Sequence, residues 1–156
     1  MFTATSEYAL RALVQLARQP RGESVLGKDL AKQGRIPPNY LSKILWALRN
    51  AGYLEATRGQ GGGYRLARAP ERITLIEVVR LFDGVTAEPG CLLGEHHECS
   101  DKTPCSAHRS WKKVKEVYLA FIRTTTLADI GEPNTGGRIK LNPPGGRSNK
   151  AASRNR

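Results

Sequence analysis

The stretch RIPPNYLSKILWALRNAGYLEATRGQGGGYRLAR, residues 35–68, contains two local patterns that follow one another directly. The first begins at Pro37 and Pro38, which suit an extended residue followed by a helix N-terminus. Gly52 is well placed to end that helix. A shorter helix is predicted just upstream, over residues 26–33, so the two form a helix-turn-helix. The apolar side chains at helical spacing in the second helix are Tyr40, Leu41, Ile44, Leu45 and Leu48.

The second pattern is a strand, a glycine-rich turn and another strand, predicted at 53–57, 59–63 and 64–67. Arg58 stands at the turn. A phosphate-binding glycine loop is excluded, because the segment lacks the terminal Gly-Lys-Ser/Thr of such loops. A helix-turn-helix followed directly by a hairpin is typical of a winged helix. The predicted fold class is therefore mainly α-helical with a small β-hairpin wing.

Charge favours a polyanionic partner for this part of the chain. The protein has 156 residues and a net charge of +11, and residues 1–83 carry 13 basic and 7 acidic side chains. Any amphipathic helix has a polar face, but a basic wing tip beside it suits a DNA groove. We therefore expect double-stranded DNA to be bound by Asn39, Tyr40, Ser42, Lys43 and Arg49 of the helix and by Arg58, Gly61 and Arg65 of the wing.

All three cysteines and all three histidines lie within residues 91–108. The spacing is Cys91-x7-Cys99-x5-Cys105-x2-His108, and three thiolates with one imidazole form a complete ligand set for a soft or borderline metal. An odd number of cysteines does not fit a disulfide framework. This segment is therefore the candidate metal site.

Three kinds of chemistry compete for these cysteines. Structural zinc usually comes with tight Cys-x2–4-Cys knuckles, and the segment has none. An iron–sulfur cluster is wider and tolerates longer spacing, so the spacing favours it. A cluster-free thiol switch needs only one reactive cysteine and a resolving partner. His96 and His97 can also ligate, but adjacent histidines flanked by acidic residues are more often simply solvated.

A further amphipathic helix is predicted after Pro104, to about residue 125. Its apolar positions step by three, four and three residues, as in a coiled-coil seam, and they are Trp111, Val114, Tyr118 and Phe121. We expect these four to form a homodimer contact, with packing on the chain's own core as the alternative. The predicted division is a winged helix-turn-helix DNA-binding domain (1–83), a cysteine-rich cluster-binding loop (84–105), a long dimerisation helix (106–130) and a disordered basic tail (131–156).

These residues carry a resemblance to the Rrf2 family of bacterial winged-helix regulators, the family of IscR, NsrR and RirA. The matching segments lie between about residues 2 and 130. The resemblance implies a dimer that binds palindromic promoter DNA through the recognition helix and wing. It also implies a 2Fe–2S or 4Fe–4S cluster on Cys91, Cys99 and Cys105. The segments are SEYALRALVQLA, IPPNYLSKIL, AGYLEATRGQGGGYRLAR, ITLIEVV, CSAHRSW and TTLADI.

The resemblance offers two positions for a fourth cluster ligand. IscR-like members use a histidine three residues after the last cysteine, which is His108 here. NsrR-like members use an acidic residue early in the first helix of the other subunit, which matches Glu7. The resemblance does not choose between them. We favour His108, because Cys105-x2-His108 opens a helix on one continuous face.

The expected function is a dimeric DNA-binding transcriptional regulator, a repressor, that senses iron, redox or nitric oxide status through an iron–sulfur cluster. A regulator with structural zinc or a thiol switch at the same cysteines is the alternative. We expect no enzyme, because the sequence has no nucleophile motif, nucleotide loop or carboxylate pair in an apolar setting. No apolar run approaches the ~20 residues of a membrane span, and no signal peptide is apparent. We therefore expect a cytoplasmic protein that does not contact membranes.

Overall fold

A computed structural model describes residues 2–84, 89–93 and 99–131 of the chain. Its N-terminal part consists of helices α1 (Ala4–Ala17), α2 (Gly27–Gly34) and α3 (Pro38–Asn50). Arg35 adopts a left-handed conformation (φ 51°) between α2 and α3, which turns the chain sharply before Pro37. The predicted helix-turn-helix is therefore confirmed, with α3 as its second helix.

The predicted wing is also confirmed. Strands β1 (Leu54–Thr57) and β2 (Gly63–Leu66) pair antiparallel, and β2 makes a further bridge to Val25 in the α1–α2 connection. Gly63 permits this bridge, because its φ is +144° and a Cβ there would lie 2.5 Å from the carbonyl oxygen of Val25. The hairpin is thus attached to the helical body at its base.

Helix α4 (Leu75–Asp83) leads from the wing to the cysteine loop. It begins with a capping box. The Glu77 carboxylate accepts a hydrogen bond from the Thr74 amide, and the Thr74 side chain accepts one from the Glu77 amide. A 3₁₀ turn over Pro70–Arg72 precedes it, and the sequence did not predict that turn. The helix ends at Gly84, whose φ is +56°.

From residue 99 to residue 131, the structure describes two helices, α5 (His108–Thr124) and α6 (Leu127–Gly131). The long helix predicted after Pro104 corresponds to α5. The predicted 106–130 segment is not one continuous helix. It is interrupted between Thr124 and Leu127, where Thr126 pairs with Thr74 in a β-bridge. Thr125 accepts a hydrogen bond from the Leu75 amide at 3.0 Å. Residues 125–131 therefore return to the chain's own core.

One hydrophobic core joins α1 to α6. Burial of these side chains removes apolar surface from water and provides the main driving force for the fold. Ile122 and Leu127 show that the C-terminal helices contribute to the same core as the helix-turn-helix and its wing. The largest fully buried apolar side chains are Leu13, Leu30, Ile44, Leu48, Ile73, Val78, Val79, Ile122 and Leu127.

Some predictions fall on residues outside the described ranges. His96 and His97 are among them, as is nearly all of the basic tail, residues 132–156. Within the described ranges, no helix has the length and apolar character that a bilayer crossing requires.

Candidate metal centre and nucleic-acid interface

Three thiols converge in the connection between α4 and α5. The Sγ atoms of Cys91, Cys99 and Cys105 all lie within 4.8 Å of one another, and each cysteine is half-buried and reduced. The Sγ atoms of Cys91 and Cys105 are 3.7 Å apart. These two cysteines are fourteen positions apart in the sequence, so the chain must fold back on itself to bring them together.

Short local contacts shape this fold-back. The indole N–H of Trp111 on α5 donates to the carbonyl of Gly90 at 2.7 Å, which fixes the residue before Cys91 against the helix. The His108 amide donates to the Cys105 carbonyl at 3.0 Å, in a turn that places the start of α5 three residues after that cysteine. The first residues of α5 therefore fix the positions of both Cys91 and Cys105.

His108 adds an imidazole beside the sulfurs. Its Nδ1 lies 3.2 Å from the Sγ of Cys99, and its Nε2 lies 2.9 Å from Oδ1 of Asp101. Its side chain is 16% exposed, so the ring is held between these two partners. Asp101 in turn receives hydrogen bonds from Lys112 at 2.8 and 2.7 Å.

Electrostatics in this segment follow from those contacts. Hydrogen bonds from Lys112 and then His108 lower the pKa of Asp101, while Asp101 raises the pKa of Lys112. Local desolvation, together with hydrogen bonds to Cys99 and Cys91, raises the pKa of the Cys105 thiol. A metal that binds here must therefore displace thiol protons.

The donor set fits a soft metal or a cluster. Three thiols at mutual contact distance and a neighbouring imidazole are the ligand types that zinc and iron–sulfur clusters use. The fit rests on the sulfurs pointing toward one another, because solvated cysteines in an unstructured loop have no reason to do so. Cys91, Cys99 and Cys105 can therefore hold a metal or cluster.

Glu7, the other candidate ligand, lies elsewhere in this chain. It is exposed on α1 and forms an ion pair with Arg11 one turn later. Among the described residues, the group of mutually close potential ligands contains the three cysteines and not Glu7. Within a single chain, His108 is therefore the candidate that contacts a sulfur.

The residues predicted to contact DNA on α3 share one exposed face. The opposite face of α3 is buried in the core through Leu41, Ile44, Leu45 and Leu48. Ser42 donates its hydroxyl to the Pro38 carbonyl at 3.1 Å, yet it stays exposed. Trp46 lies on the same outer face with 67% of its surface exposed. The predicted residues on this face are Asn39, Tyr40, Ser42, Lys43 and Arg49.

The two arginines of the wing differ in their surroundings. Arg58 is exposed and makes no hydrogen bond or ion pair with any residue of the described ranges. Arg65 is half-buried and pairs with Glu55 across the hairpin at 2.7 Å. Gly61 at the tip is exposed with φ +77°. Arg58 therefore offers a charge that no described acidic residue pairs with, whereas the charge of Arg65 is largely balanced by Glu55.

The predicted seam on α5 divides into inward and outward positions. Tyr118 and Phe121 pack against the chain's own core, and Trp111 is half-buried over Gly90. Val114 is 53% exposed and Val117 is 56% exposed. The exposed apolar face of α5 is therefore formed by Val114 and Val117, and the seam read from the sequence omitted Val117.

Sequence reasoning also missed Asp101 and Lys112. Their role depends on the cysteine loop folding back on α5, and no local pattern in the sequence encodes that fold-back. The one available signal is that Lys112 lies one helical turn after His108, on the same face of α5.

Comparisons with known proteins agree with this arrangement. The Rrf2 family profile, described as an iron-dependent transcriptional regulator, matches residues 2–133. NsrR of Bacillus licheniformis, an HTH-type transcriptional regulator, is 35% identical over 128 residues, which cover 82% of this chain and 90% of that protein. NsrR of Bacillus subtilis is 33% identical over 128 residues, covering 82% and 88% of the two chains.

Solved structures show the same fold. IscR from T. potens has a TM-score of 0.64 at 26% identity, and the match covers 83% of this chain and 85% of that one. CymR, described as the global cysteine regulator of B. subtilis, has a TM-score of 0.68 at 24% identity and covers 84% and 95%. The relatives are regulators rather than enzymes, as predicted. The winged helix, the converging cysteines and the profile over residues 2–133 together establish that this chain belongs to the Rrf2 family of transcriptional regulators.

Proposed function

We propose that this regulator represses transcription as a homodimer whose affinity for promoter DNA depends on an iron–sulfur cluster. Cys91, Cys99 and Cys105 would hold a 2Fe–2S or 4Fe–4S cluster, with His108 as the fourth ligand. The observation that carries the proposal is the convergence of the three Sγ atoms to within 4.8 Å. When bound, such a cluster supplies a group that gains or loses electrons, or is dismantled, as redox, iron or nitric oxide conditions change.

The choice of a cluster over zinc rests on two observations. The cysteine spacing lacks the short knuckles of structural zinc sites. The family profile is described as iron-dependent, and iron with thiolate ligands fits this donor set. The choice of His108 over Glu7 rests on its 3.2 Å contact with Cys99, whereas Glu7 is paired with Arg11.

DNA binding would use the exposed face of α3 and the wing. The polar and cationic side chains of α3 suit a major groove, and Arg58 suits the adjacent minor groove or phosphates. The basic N-terminal part would add affinity that does not depend on sequence.

Dimerisation would use the exposed apolar face of α5. Val114 and Val117 are three residues apart, so they lie on the same side of α5, and both are more than half exposed. Two-fold pairing through α5 would place two α3 helices at successive major grooves of a palindromic site.

Coupling between cluster and DNA follows from where the cysteine loop lies. It connects α4, which packs on α1, to α5, which carries the proposed dimer face. A change in what the sulfurs hold would move α5 relative to the DNA-binding part and change the distance between half-sites. The coupling must be reciprocal, so operator DNA would also change cluster stability.

Anaerobic purification tests the cofactor. We expect a coloured protein with iron and acid-labile sulfide. Each of the variants Cys91→Ser, Cys99→Ser and Cys105→Ser should lose the colour. Ser106→Ala, at the position that follows Cys105, is the matched control and should leave iron content unchanged. A colourless wild type with one zinc per chain would contradict the cluster.

Operators selected from random duplexes by the anaerobic protein then test the coupling. We expect loss of the cluster to weaken operator binding at fixed salt concentration. Equal affinity of the cluster-bound and cluster-free forms would overturn the coupling and leave DNA binding intact.

A thiol switch is the second candidate, favoured by the 3.7 Å contact between the Sγ atoms of Cys91 and Cys105. In metal-free protein, one peroxide would oxidise these two thiols to a disulfide and yield two waters, with Cys99 left reduced beside His108. Digestion after glutamate and lysine separates the three cysteines for mass spectrometry. A different pairing, or oxidation without effect on operator affinity, would exclude this function.

A further inference from the structure

One carboxylate joins the cysteine loop to helix α5. Asp101 lies between Cys99 and Cys105, and it contacts both His108 and Lys112 of α5. His108 and Lys112 are four residues apart, so they lie one above the other on the same face of the helix. Asp101 therefore bridges the segment that carries two of the sulfurs and the helix that carries the imidazole.

The contact with Asp101 determines which ring nitrogen of His108 faces the sulfurs. An ionised carboxylate can only accept hydrogen bonds, so the nitrogen at 2.9 Å from it, Nε2, must carry the proton. In the neutral ring, the lone pair is then on Nδ1. That same nitrogen lies 3.2 Å from the Sγ of Cys99.

Lys112 completes the arrangement by orienting the carboxylate. Its ammonium lies 2.8 Å from Oδ1 and 2.7 Å from Oδ2 of Asp101. Asp101 is 70% exposed, so this ion pair is weak as a source of stability. Its effect is geometric, because it points Oδ1 at a ring that is itself only 16% exposed.

We propose that Asp101 is a positioning residue for the metal centre, which holds His108 so that Nδ1, and not Nε2, is the ligand atom. The inference rests on the proposed function, since it assumes that the sulfur cluster binds a metal. Residues that hydrogen-bond the far nitrogen of a ligating histidine commonly change metal affinity by about 10–100-fold when they are removed.

A double-mutant cycle in metal-free, reduced, full-length protein tests this role, with Co²⁺ as the probe. The ligand-field absorption of bound Co²⁺ reports both affinity and whether a nitrogen ligand is present. We expect Asp101→Ala to weaken Co²⁺ binding by about 10-fold or more. In a His108→Ala background, the same substitution should have no further effect, because Asp101 acts through the ring.

Further variants separate the parts of the contact. Asp101→Asn retains an oxygen that can accept from Nε2, so its loss of affinity should be smaller than that of Asp101→Ala. Lys112→Met should lose still less Co²⁺ affinity than Asp101→Asn does. Lys113→Met, at the exposed neighbouring position, is the matched control and should bind Co²⁺ as the wild type does. If Asp101→Ala folds poorly by circular dichroism, Asp101→Asn supplies the cycle.

The outcomes distinguish the inference from the proposed function. An equal loss from Asp101→Ala with and without His108 would mean that Asp101 only shapes the loop, and would overturn the inference. Wild-type affinity in Asp101→Ala would overturn it too, while loss of binding on cysteine substitution would leave the metal centre intact. A wild type that binds neither Co²⁺ nor iron would remove both.

Discussion

Asp83, the last residue of α4, accepts a 2.6 Å hydrogen bond from the hydroxyl of Ser6, a fully buried residue of α1. The same carboxylate also accepts from the amide and hydroxyl of Thr3, the N-cap of α1. The residue that precedes the cysteine connection is thereby fixed to the start of the first helix. The cysteine loop thus begins next to a residue that is hydrogen-bonded to α1.

Replacing Asp83 with asparagine should lower the free energy of unfolding by about 1.5–3 kcal/mol at neutral pH, the range for lost hydrogen bonds to a charged group. Partial burial alone would raise the pKa of Asp83, but the hydrogen bonds from Ser6 and Thr3 outweigh it and lower the pKa. The stabilisation is therefore present above the ordinary aspartate pKa and is lost as the pH falls through the lowered folded-state value.

Urea unfolding at several pH values measures this effect. The difference between wild type and Asp83→Asn should be constant near neutrality and shrink below about pH 4. Glu116→Gln changes an exposed carboxylate on α5 and is the control. A difference that persists unchanged at low pH would show that ionisation of Asp83 is not the cause.

Alanine at Gly63 should destabilise the wing. The new Cβ would lie 2.5 Å from the Val25 carbonyl oxygen at a φ of +144°, so the Val25–Tyr64 bridge must open. We expect a loss of about 1–3 kcal/mol in thermal or urea unfolding. Gly61→Ala is the matched control, because φ there is +77° but nothing lies within 4 Å. Equal losses at the two positions would mean that the clash with Val25 is unimportant.

Arginine at position 58 should matter more for DNA binding than arginine at position 65. Arg58→Ala removes a charge without an acidic partner in the described part of the chain, so it should weaken operator binding and reduce the salt slope by about 1. Arg65→Ala also frees Glu55, and its pair is already compensated, so its effect on the slope should be smaller. Anisotropy titrations over a salt series measure both slopes, and the reverse order would contradict the prediction.

The substitution Tyr118→Phe should not destabilise the protein. The Tyr118 hydroxyl is buried and has no hydrogen-bond partner among the residues of the described ranges, and desolvation raises its pKa. Removing an unsatisfied buried hydroxyl is neutral or stabilising, by up to about 1 kcal/mol. Tyr53→Phe is a useful comparison, since Tyr53 is also buried and its ring packs under Arg68. A clear loss of stability in Tyr118→Phe would show that the hydroxyl has a partner.

The double substitution Val114→Glu and Val117→Glu should dissociate the proposed dimer. Both side chains are more than half exposed in the single chain, so the substitutions should leave folding intact while placing charges in the interface. Sedimentation should show a shift from dimer to monomer. Lys113→Glu, at an exposed neighbouring position of α5, is the charge control. A double variant that remains dimeric would place the interface elsewhere.

The sequence by itself determined the elements whose cause is local. The helix of residues 38–50 follows from its proline start and apolar spacing, and the wing follows from glycines next to alternating strands. The capping box at Thr74 and Glu77 could likewise be read directly. These features depend on residues within a few positions of one another, which is the range over which backbone preferences act.

Only the tertiary structure decided what depends on distant parts of the chain. The spacing of Cys91, Cys99 and Cys105 indicated a metal site, but their convergence depends on the loop closing over α5. The same closure brings Asp101 to His108, a contact with no local signature. The inward position of Tyr118 follows from its packing against the chain's own core and the ring of Phe2 rather than from the period of α5. Periodicity defines a face of a helix, whereas the partner of that face is chosen by the packing of the whole chain.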